Sequence, residues 1–469
     1  MQGYRRWISL ALVPAACASL AACGGGGAGA QYSVGGSASG FSGTLQLLNN
    51  AADRVTLQQP GSFRFAARVP SGAPYSVSVG TQPPAQYCSV SGGSGIARSD
   101  VSNVSVLCTA GTLSVLHAFG DAPGAGAVPA PGLAVAPDGT LYAATTAGGT
   151  FGFGAVVRLR ADGTQTVLYS FRGGQGDGGA PLAAPTLGSD GNLYGSTSSN
   201  GLYDAGVIYK LTPGGVETVL LNVPGGSQAA DPQGVLPDAN GNLYIVSSGE
   251  STQAEGALYM VTAAGALRLL HVFGTGAGDL VGPLGTLLRA SDGAIYGCAR
   301  LGGADNDGGV FRFDPATGSY SVVASFSGAN GSHPAAGLLQ ASDGNLYGTT
   351  YDGGSANQGT VFRLTTAGAL STLYSFAGGS DGGNPVSRPY QGSDGNLYLT
   401  TQTGGANGSG TLVRLPLSAP AAPQVLYSFG GAAGLGAAQG ALVAGPNGYL
   451  YGSAKYGGVN GKGGVYQVN

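Results

Sequence analysis

The chain has 469 residues, more than one ordinary domain, and carries 90 glycines with only 9% charged residues. Glycine at this level without a Gly-X-Y period excludes collagen, and short recurring runs of Tyr, Phe, Val and Leu fit a packed all-β protein better than disorder. Lys and Arg total 19 against 22 Asp and Glu, and no basic face emerges, so no nucleic-acid partner is expected.

Residues 1–22 read as a targeting segment. Arg5 and Arg6 precede an apolar run, Trp7 to Ala22, that is too short to span a bilayer. The run ends in Leu20-Ala21-Ala22-Cys23, which resembles a bacterial lipobox. In lipoproteins of that kind the signal is cut before the cysteine, whose thiol is lipidated, so the resemblance implies a membrane partner reached through lipid on Cys23. The competing reading is a soluble secretory signal with an incidental cysteine. Residues 23–30 are Gly-rich and read as a flexible tether. Gly24, rather than Asp, follows Cys23, and by resemblance to enterobacterial sorting this implies the outer membrane. Several acyl chains anchor firmly, each buried CH₂ contributing ~0.8 kcal/mol. Without the signal, 17 basic residues face 22 acidic ones, a net charge of −5.

Residues 31–110 contain short runs that alternate with period two, among them Thr44-Leu45-Gln46-Leu47-Leu48 and Tyr75-Ser76-Val77-Ser78-Val79, separated by Gly, Pro, Asn or Ser. Six or seven such runs without a helical period predict a small β-sandwich. The module resembles the Ig-like modules that follow the lipobox in many proteobacterial lipoproteins, which implies a spacer. Cys88 and Cys108, 20 residues apart in an exported chain, predict a disulfide worth roughly 3 kcal/mol. Two cysteines without nearby His make a poor metal site. Cys298 reads as free and buried.

Residues 111–469 are a repeat. Tyr142, Tyr194, Tyr244, Tyr296, Tyr347, Tyr398 and Tyr451 recur at intervals of 52, 50, 52, 51, 51 and 53, each preceded by an Asp-Gly or Asn-Gly pair. A period near 50 of pure strand pattern predicts a seven-bladed β-propeller with four strands per blade. In one copy, Gly337–Gln340 is expected as the inner strand, with the Asp343-Gly344 turn leading into Leu346–Thr350. Thr360–Leu364 and Ser371–Phe376 follow as the third and fourth strands. The last copy stops at a third strand, Gly464–Val468, while Leu113–Phe119 matches the fourth strands of other copies. The segment 112–119 is therefore expected to pair with 464–468 and latch the ring, leaving no raw sheet edge.

The pattern "DGNLYGTT…GG…GTVF+L…G…LYSF", which reads from Ser342 to Phe376, resembles the GloVer tandem repeat. That family occurs in bacterial exported proteins, and the resemblance implies no activity. It is weakest in the third copy, where Ile245-Val246-Ser247 follows Tyr244.

Chemistry is hard to place on the repeat. The seven Tyr read as packing residues and the Asp of each turn as a turn former. Arg158, Lys210, Arg312, Arg363 and Arg414 share one third-strand position, where each is expected to lay its stem on apolar surface and keep its head in water. His117 and His271 read as packing substitutions, and His333 as a lone loop histidine. Streptogramin B lyase is also a seven-bladed propeller, with a catalytic histidine and magnesium, but no convergent His and acid set supports that analogy here. Hydrolase and zinc motifs are absent, Asp305-Asn306-Asp307-Gly308 is an incomplete calcium loop, and neither a cofactor nor a metal is expected. The longer, variable loops share one face, where recognition by rigidly held loops is expected. Candidate binding residues there are Asp177, Tyr203, Glu250, Asp279, Arg300, Tyr351, Asp381, Gln402, Lys455 and Tyr456, a rim suited to a glycan or protein ligand. The favoured reading is a lipid-anchored binding or scaffold module of the cell envelope. The alternatives are an envelope glycan lyase or hydrolase using the central pocket, and a purely structural surface protein.

Overall fold

The computed structural model describes residues 30–81, 83, 86–110, 113–120, 124–225, 231–248, 256–417, 422–430, 434–436 and 438–468. The signal segment, Cys23 and Glu250 lie outside the described residues. Every regular element described is a strand.

The N-terminal module holds two four-stranded sheets and one two-stranded pair. Val34–Ser39 joins Val101–Ala110 in parallel, and Leu45–Asn49 anchors the second sheet against Asp53–Leu57 and Pro74–Thr81. Alternation sends Val34, Val104 and Val106 of one sheet and Leu45, Leu47 and Val77 of the other into a single core. Cys88 and Cys108 face each other on adjacent antiparallel strands and are disulfide-bonded.

From Leu113 onward the described residues form seven antiparallel sheets, four of four strands and three of five in which the inner strand is split, with one further two-stranded pair, Gly178–Gly179 with Ser199–Asn200. They are numbered here by the strand that carries the repeated Tyr: Leu141–Gly148 (blade 1), Leu193–Ser196 (2), Leu243–Ser247 (3), Ile295–Gly302 (4), Leu346–Asp352 (5), Leu397–Thr403 (6) and Leu450–Ala454 (7). Neighbouring blades touch through their first two strands, and the inner strand of blade 1, Ala134–Val135, also touches that of blade 7, Ala438–Ala444, so the series closes into a ring. This is a β-propeller.

The ring closes through strand pairing as well as packing. Leu113–Ala118 is the outermost strand of blade 7 and runs antiparallel to Gly464–Val468, with Leu113 opposite Val468 and Ala118 opposite Gly464. The side chain of Ser453 in blade 7 adds a bridge into blade 1, accepting from the Gly132 amide and lying 3.4 Å from the Ala130 carbonyl.

Among its described residues the ring has no common hydrophobic core. Seven apolar clusters sit one at each seam between blades, among them Tyr244, Val246 and Phe273 against Ile295 and Phe311, and Phe119 and Leu141 against Tyr451 and Val465. Phe119, Phe171, Phe273, Phe326, Phe376 and Phe429, each at the end of a fourth strand, are all fully buried.

The inner strand differs from expectation. In blade 5 it is two pieces, Ser332–Pro334 and Leu339–Gln340, both paired with Leu346–Asp352. The break falls where neighbouring inner strands crowd together. A Cβ on Gly337 would lie 2.5 Å from Thr286 Oγ1 of blade 4, so the position has no room for an ordinary side chain.

One residue of the repeated phrase has a reason the turn does not supply. The Gly after Tyr faces an aromatic on the third strand: Gly195 opposite Tyr209, Gly297 opposite Phe311, Gly348 opposite Phe362 and Gly452 opposite Tyr466. A Cβ on Gly348 would sit 2.4 Å from the Phe362 ring. Where the first residue is larger the partner shrinks, as in Ala143 opposite Val157 and Leu399 opposite Val413. Blade 3, with Ile245 opposite Tyr259, breaks this exchange, and it is the blade whose sequence departs most from the repeat.

The exchange gives a test. Gly348→Ala should lose about 1–3 kcal/mol through overpacking. Adding Phe362→Val, the blade 1 solution, should make the pair less costly than the sum of the single changes, with a coupling of about 0.5–3 kcal/mol. Urea unfolding of the four proteins in the cycle measures it, and strict additivity would contradict the packing described.

Candidate functional site

Antiparallel alternation puts two connections of each blade on one face and two on the other. The tight hairpins between strands 1 and 2 and between strands 3 and 4 make the turn face. The longer links make the loop face.

On the turn face the repeated Asp does more than turn the chain. Asp343 accepts from the Asn345 amide at 3.0 Å and from the Tyr347 hydroxyl at 2.7 Å. The same i to i+4 bond joins Asp190 to Tyr194, Asp292 to Tyr296 and Asp394 to Tyr398, and in blade 7 the Asn447 amide donates to the Tyr451 hydroxyl instead. Burial opposes the charge on Asp343, yet the Asn345 and Tyr347 bonds hold its carboxyl below the usual range. The shared third-strand base lies directly across from this Tyr, as Arg363 does from Tyr347 and Arg414 from Tyr398. Arg363 is exposed, as expected, but in blades 4 and 6 the head meets acids. Arg414 Nε lies 3.1 Å from Asp394, with 13% and 8% of the two side chains exposed, and Arg312 reaches both Asp292 and Asp314. The phrase is thus a hydrogen-bonded clamp, and its acids are committed. A cavity of about 310 Å³ opens on this face between the N-terminal sandwich and blades 6 and 7, lined by Val79, Gln86, Tyr390, Tyr427 and the Asp394–Arg414 pair.

On the loop face three predicted acids form a second set of clamps. Asp177 is buried and accepts from the Tyr169 hydroxyl and from the amides of Arg172 and Gly178, at 2.8, 2.8 and 2.6 Å. Asp381 accepts from Tyr374 at 3.0 Å and from the Ala377 amide at 2.8 Å. Asp279 accepts from the Tyr320 hydroxyl at 2.8 Å and lies 3.1 Å from His271 Nε2. His271 stacks on Tyr320 with ring centroids 3.4 Å apart, and burial pulls its pKa down against the pull of Asp279. These acids fasten the fourth strands of blades 1, 3 and 5 to the loops that follow, and His271 belongs to the fastening rather than merely filling a packing position. Tyr203, Arg300 and Tyr456 are exposed and stand apart, and Lys455 Nζ lies 5.4 Å from the Tyr456 ring centre.

The structure does bring Tyr351 and Gln402 together. The Tyr351 hydroxyl donates to Gln402 Oε1 at 2.8 Å across the seam between blades 5 and 6. Asn384 Nδ2 donates to the Tyr351 carbonyl at 3.0 Å, and Thr403 donates to Asn384 Oδ1 at 2.9 Å. Beside them His333 Nδ1 lies 3.0 Å from Asp352 Oδ2, each side chain 29% exposed. His333 is therefore not alone, as its sequence context implied. All these groups sit at the loop-face ends of first and second strands, the strands nearest the ring's centre, so they form a half-buried polar mouth over blades 5 and 6. Sequence reasoning missed His333, Asp352 and Asn384. Each breaks the Gly-rich consensus at the start or end of a strand, and their pairing follows from the register that sets Ser332 opposite Asp352 and Gly383 opposite Thr403.

Among the described residues no three His, Cys, Asp or Glu side chains converge as metal ligands. Cys298 is buried without a disulfide partner, and burial pushes its thiol up to about 12.

The model of the Gloeobacter/Verrucomicrobia repeat matches residues 87–287 and 282–469. The chain belongs to that repeat family. No relative was found among curated proteins. Three solved structures illustrate what the repeat protein is similar to. A gluconolactonase from Xanthomonas campestris is 12% identical at a TM-score of 0.42, over 76% of this chain and 89% of its own. An oligogalacturonate lyase from Vibrio parahaemolyticus is 11% identical at 0.48, over 76% and 96%. The extracellular domain of a two-component system from Bacteroides thetaiotaomicron is 11% identical at 0.49, over 73% of this chain and 38% of its own. At such identities the likeness extends to neither site residues nor chemistry.

Glu217, on the outer strand of blade 2, yields a pH test. Its Oε1 is shut off from solvent without a partner. Burial, reinforced by Asp177, pushes its carboxyl from 4.5 up to about 7. The native state then holds this proton more tightly than the unfolded chain. Stability should fall as pH rises between about 4.5 and about 7 and stay flat above. Glu217→Gln should remove that fall and melt higher than wild type at pH 8. Melting curves of both proteins at pH 5 and pH 8 check it, and parallel shifts in the two would contradict the assignment.

Proposed function

We propose that this chain is a lipid-anchored binding module of the bacterial envelope whose propeller presents the loop-face mouth over blades 5 and 6 to a glycan or protein ligand. The observation that carries this reading is the hydrogen-bonded seam of Tyr351, Gln402 and Asn384 beside the His333–Asp352 pair. It is a polar, aromatic-bearing surface held by rigid strands, and such surfaces favour recognition of hydroxyl-rich or peptide partners. The turn acids such as Asp343 and Asp394, and the loop acids Asp177, Asp279 and Asp381, are occupied by their own turns and loops. The N-terminal sandwich, read as Ig-like, acts as a spacer that lifts the ring from the outer membrane, to which lipid on Cys23 ties it.

A second reading, an envelope lyase or hydrolase, draws on the His333–Asp352 pair alone, which has the form of an oriented general base.

Two measurements test these points. Cys23→Ser should move the protein from the membrane fraction to the soluble one and abolish palmitate labelling, and unchanged labelling would refute the anchor. On a glycan array probed with residues 31–469, Tyr351→Ala should lose at least tenfold in binding while leaving the melting temperature within about 2 °C. Capture unaffected by Tyr351→Ala would place recognition elsewhere, and turnover of a captured glycan that vanishes in His333→Ala would favour the enzyme.

A further inference from the structure

Each inner strand has one position six residues before the first residue of its tight turn. Around the ring these positions are Gly132, Ala184, Gly234, Thr286, Gly337, Arg388 and Ala441. They lie where adjacent inner strands meet. A Cβ on Gly132 would be 3.7 Å from that of Ala184, and one on Gly234 would be 2.8 Å from Thr286 Cγ2. Inner strand touches inner strand from blade to blade here, Ala134–Val135 with Thr186–Leu187 and Pro232–Pro237 with Leu280–Arg289 among them, which sets these positions beside the ring's centre. Six of the seven residues are Gly, Ala or Thr, and the seventh is arginine.

Arg388 is held in place and left without a counter-charge. Its backbone is pinned on one side, where the Ser387 hydroxyl accepts from the Thr400 amide at 2.8 Å and the Ser387 carbonyl accepts from Thr349 of blade 5 at 3.1 Å. Pro389 fixes the other side. The Arg388 Nε is shut off from solvent with no hydrogen-bond partner. Burial alone lowers its pKa, and no carboxylate among the described residues acts on it. Arg158 Nε on the third strand of blade 1 also lacks a hydrogen-bond partner, but its charge acts on Asp138, and Arg414 has Asp394. The residue as a whole stays half-buried, so its planar fork, with Nε unpaired and no carboxylate beside it, is open to the two oxygens of a carboxylate or phosphate.

We propose that Arg388 is the anchor of an oxyanion-binding site at the centre of the propeller, which accepts the carboxylate or phosphate group of a ligand between the small residues of the other six blades. The site rests on the inner strands and not on the reading of the loop-face mouth, so the two are separable by experiment.

The probes are sodium acetate and inorganic phosphate added to full-length protein in Tris–chloride at constant ionic strength, read by melting temperature and titration calorimetry. Wild type should gain about 2 °C or more from at least one probe at saturation. Arg388→Met should show no such gain and should melt at or above wild type in chloride alone, because the unpaired buried charge is gone. Arg388→Lys should keep part of the gain with at least tenfold weaker binding. Tyr351→Ala should keep all of it, whatever that change does to glycan capture. Equal gains in wild type and Arg388→Met would place the anion elsewhere and overturn the proposal. So would a wild type indifferent to both probes, or an Arg388→Met protein that melts below wild type in chloride.

Discussion

No blade can bury its own two faces, and every other feature of this chain follows from that. A four-stranded sheet with Tyr347 and Phe362 on one strand pair has apolar surface on both sides, and only the next sheet can cover it. The seven seam clusters are the result. A row of such sheets would still leave two exposed faces at its ends, so the row must curl until first meets last. The seam joining Phe119 and Leu141 to Tyr451 and Val465 is therefore chemically like the other six. What makes it different is chain connectivity, which the Leu113–Ala118 strand repairs by completing the last blade with residues from the start of the ring.

Closure brings the inner strands of successive blades together at the centre. At the centre the chain responds with small side chains and a broken inner strand. Within each blade it responds with exchange of volume between Gly and an aromatic across the second and third strands. At both ends of the blades, turns and loops are held by fixed polar bonds. The turn-face clamp of Asp, Tyr and Arg and the loop-face clamp of Asp177, Asp279 or Asp381 with Tyr or His are the same device used at opposite ends of the blade. A buried hydroxyl must find an acceptor, and a short loop without its own ladder needs one fixed point. One carboxylate supplies both.

The propeller was legible in the sequence because its defining features are periodic. The spacing of the seven Tyr and the Asp-Gly turns recurs within the chain itself, and the all-β class needs nothing beyond it. What escaped were relations that cross strands or blades. The Asp343–Tyr347 bond is only four residues long, yet treating each residue as a separate requirement, one for the turn and one for packing, hid it. His333 looked solitary because Asp352 lies on the partner strand, and Asp177 looked like a rim acid because two of its three donors are backbone amides that carry no sequence signature.

The site residues were the hardest to see for a physical reason. In a repeat, whatever builds the frame is common to all copies, and whatever acts is found in one. Sequence comparison between copies therefore marks the frame strongly and the site only as an exception. Exceptions in the loops are abundant, because solvated loops tolerate almost any polar residue. Exceptions at the crowded centre are rare, because a Cβ there already meets the next blade, and a charged side chain there must also be withdrawn from water. An arginine among Gly, Ala and Thr at that radius is thus a far stronger departure than a tyrosine or lysine on the rim, although both are single substitutions in the same alignment of copies. Weighting each departure by what the position would cost an ordinary residue separates Arg388 from the rim residues, and it does so from the volume and charge of the residue alone.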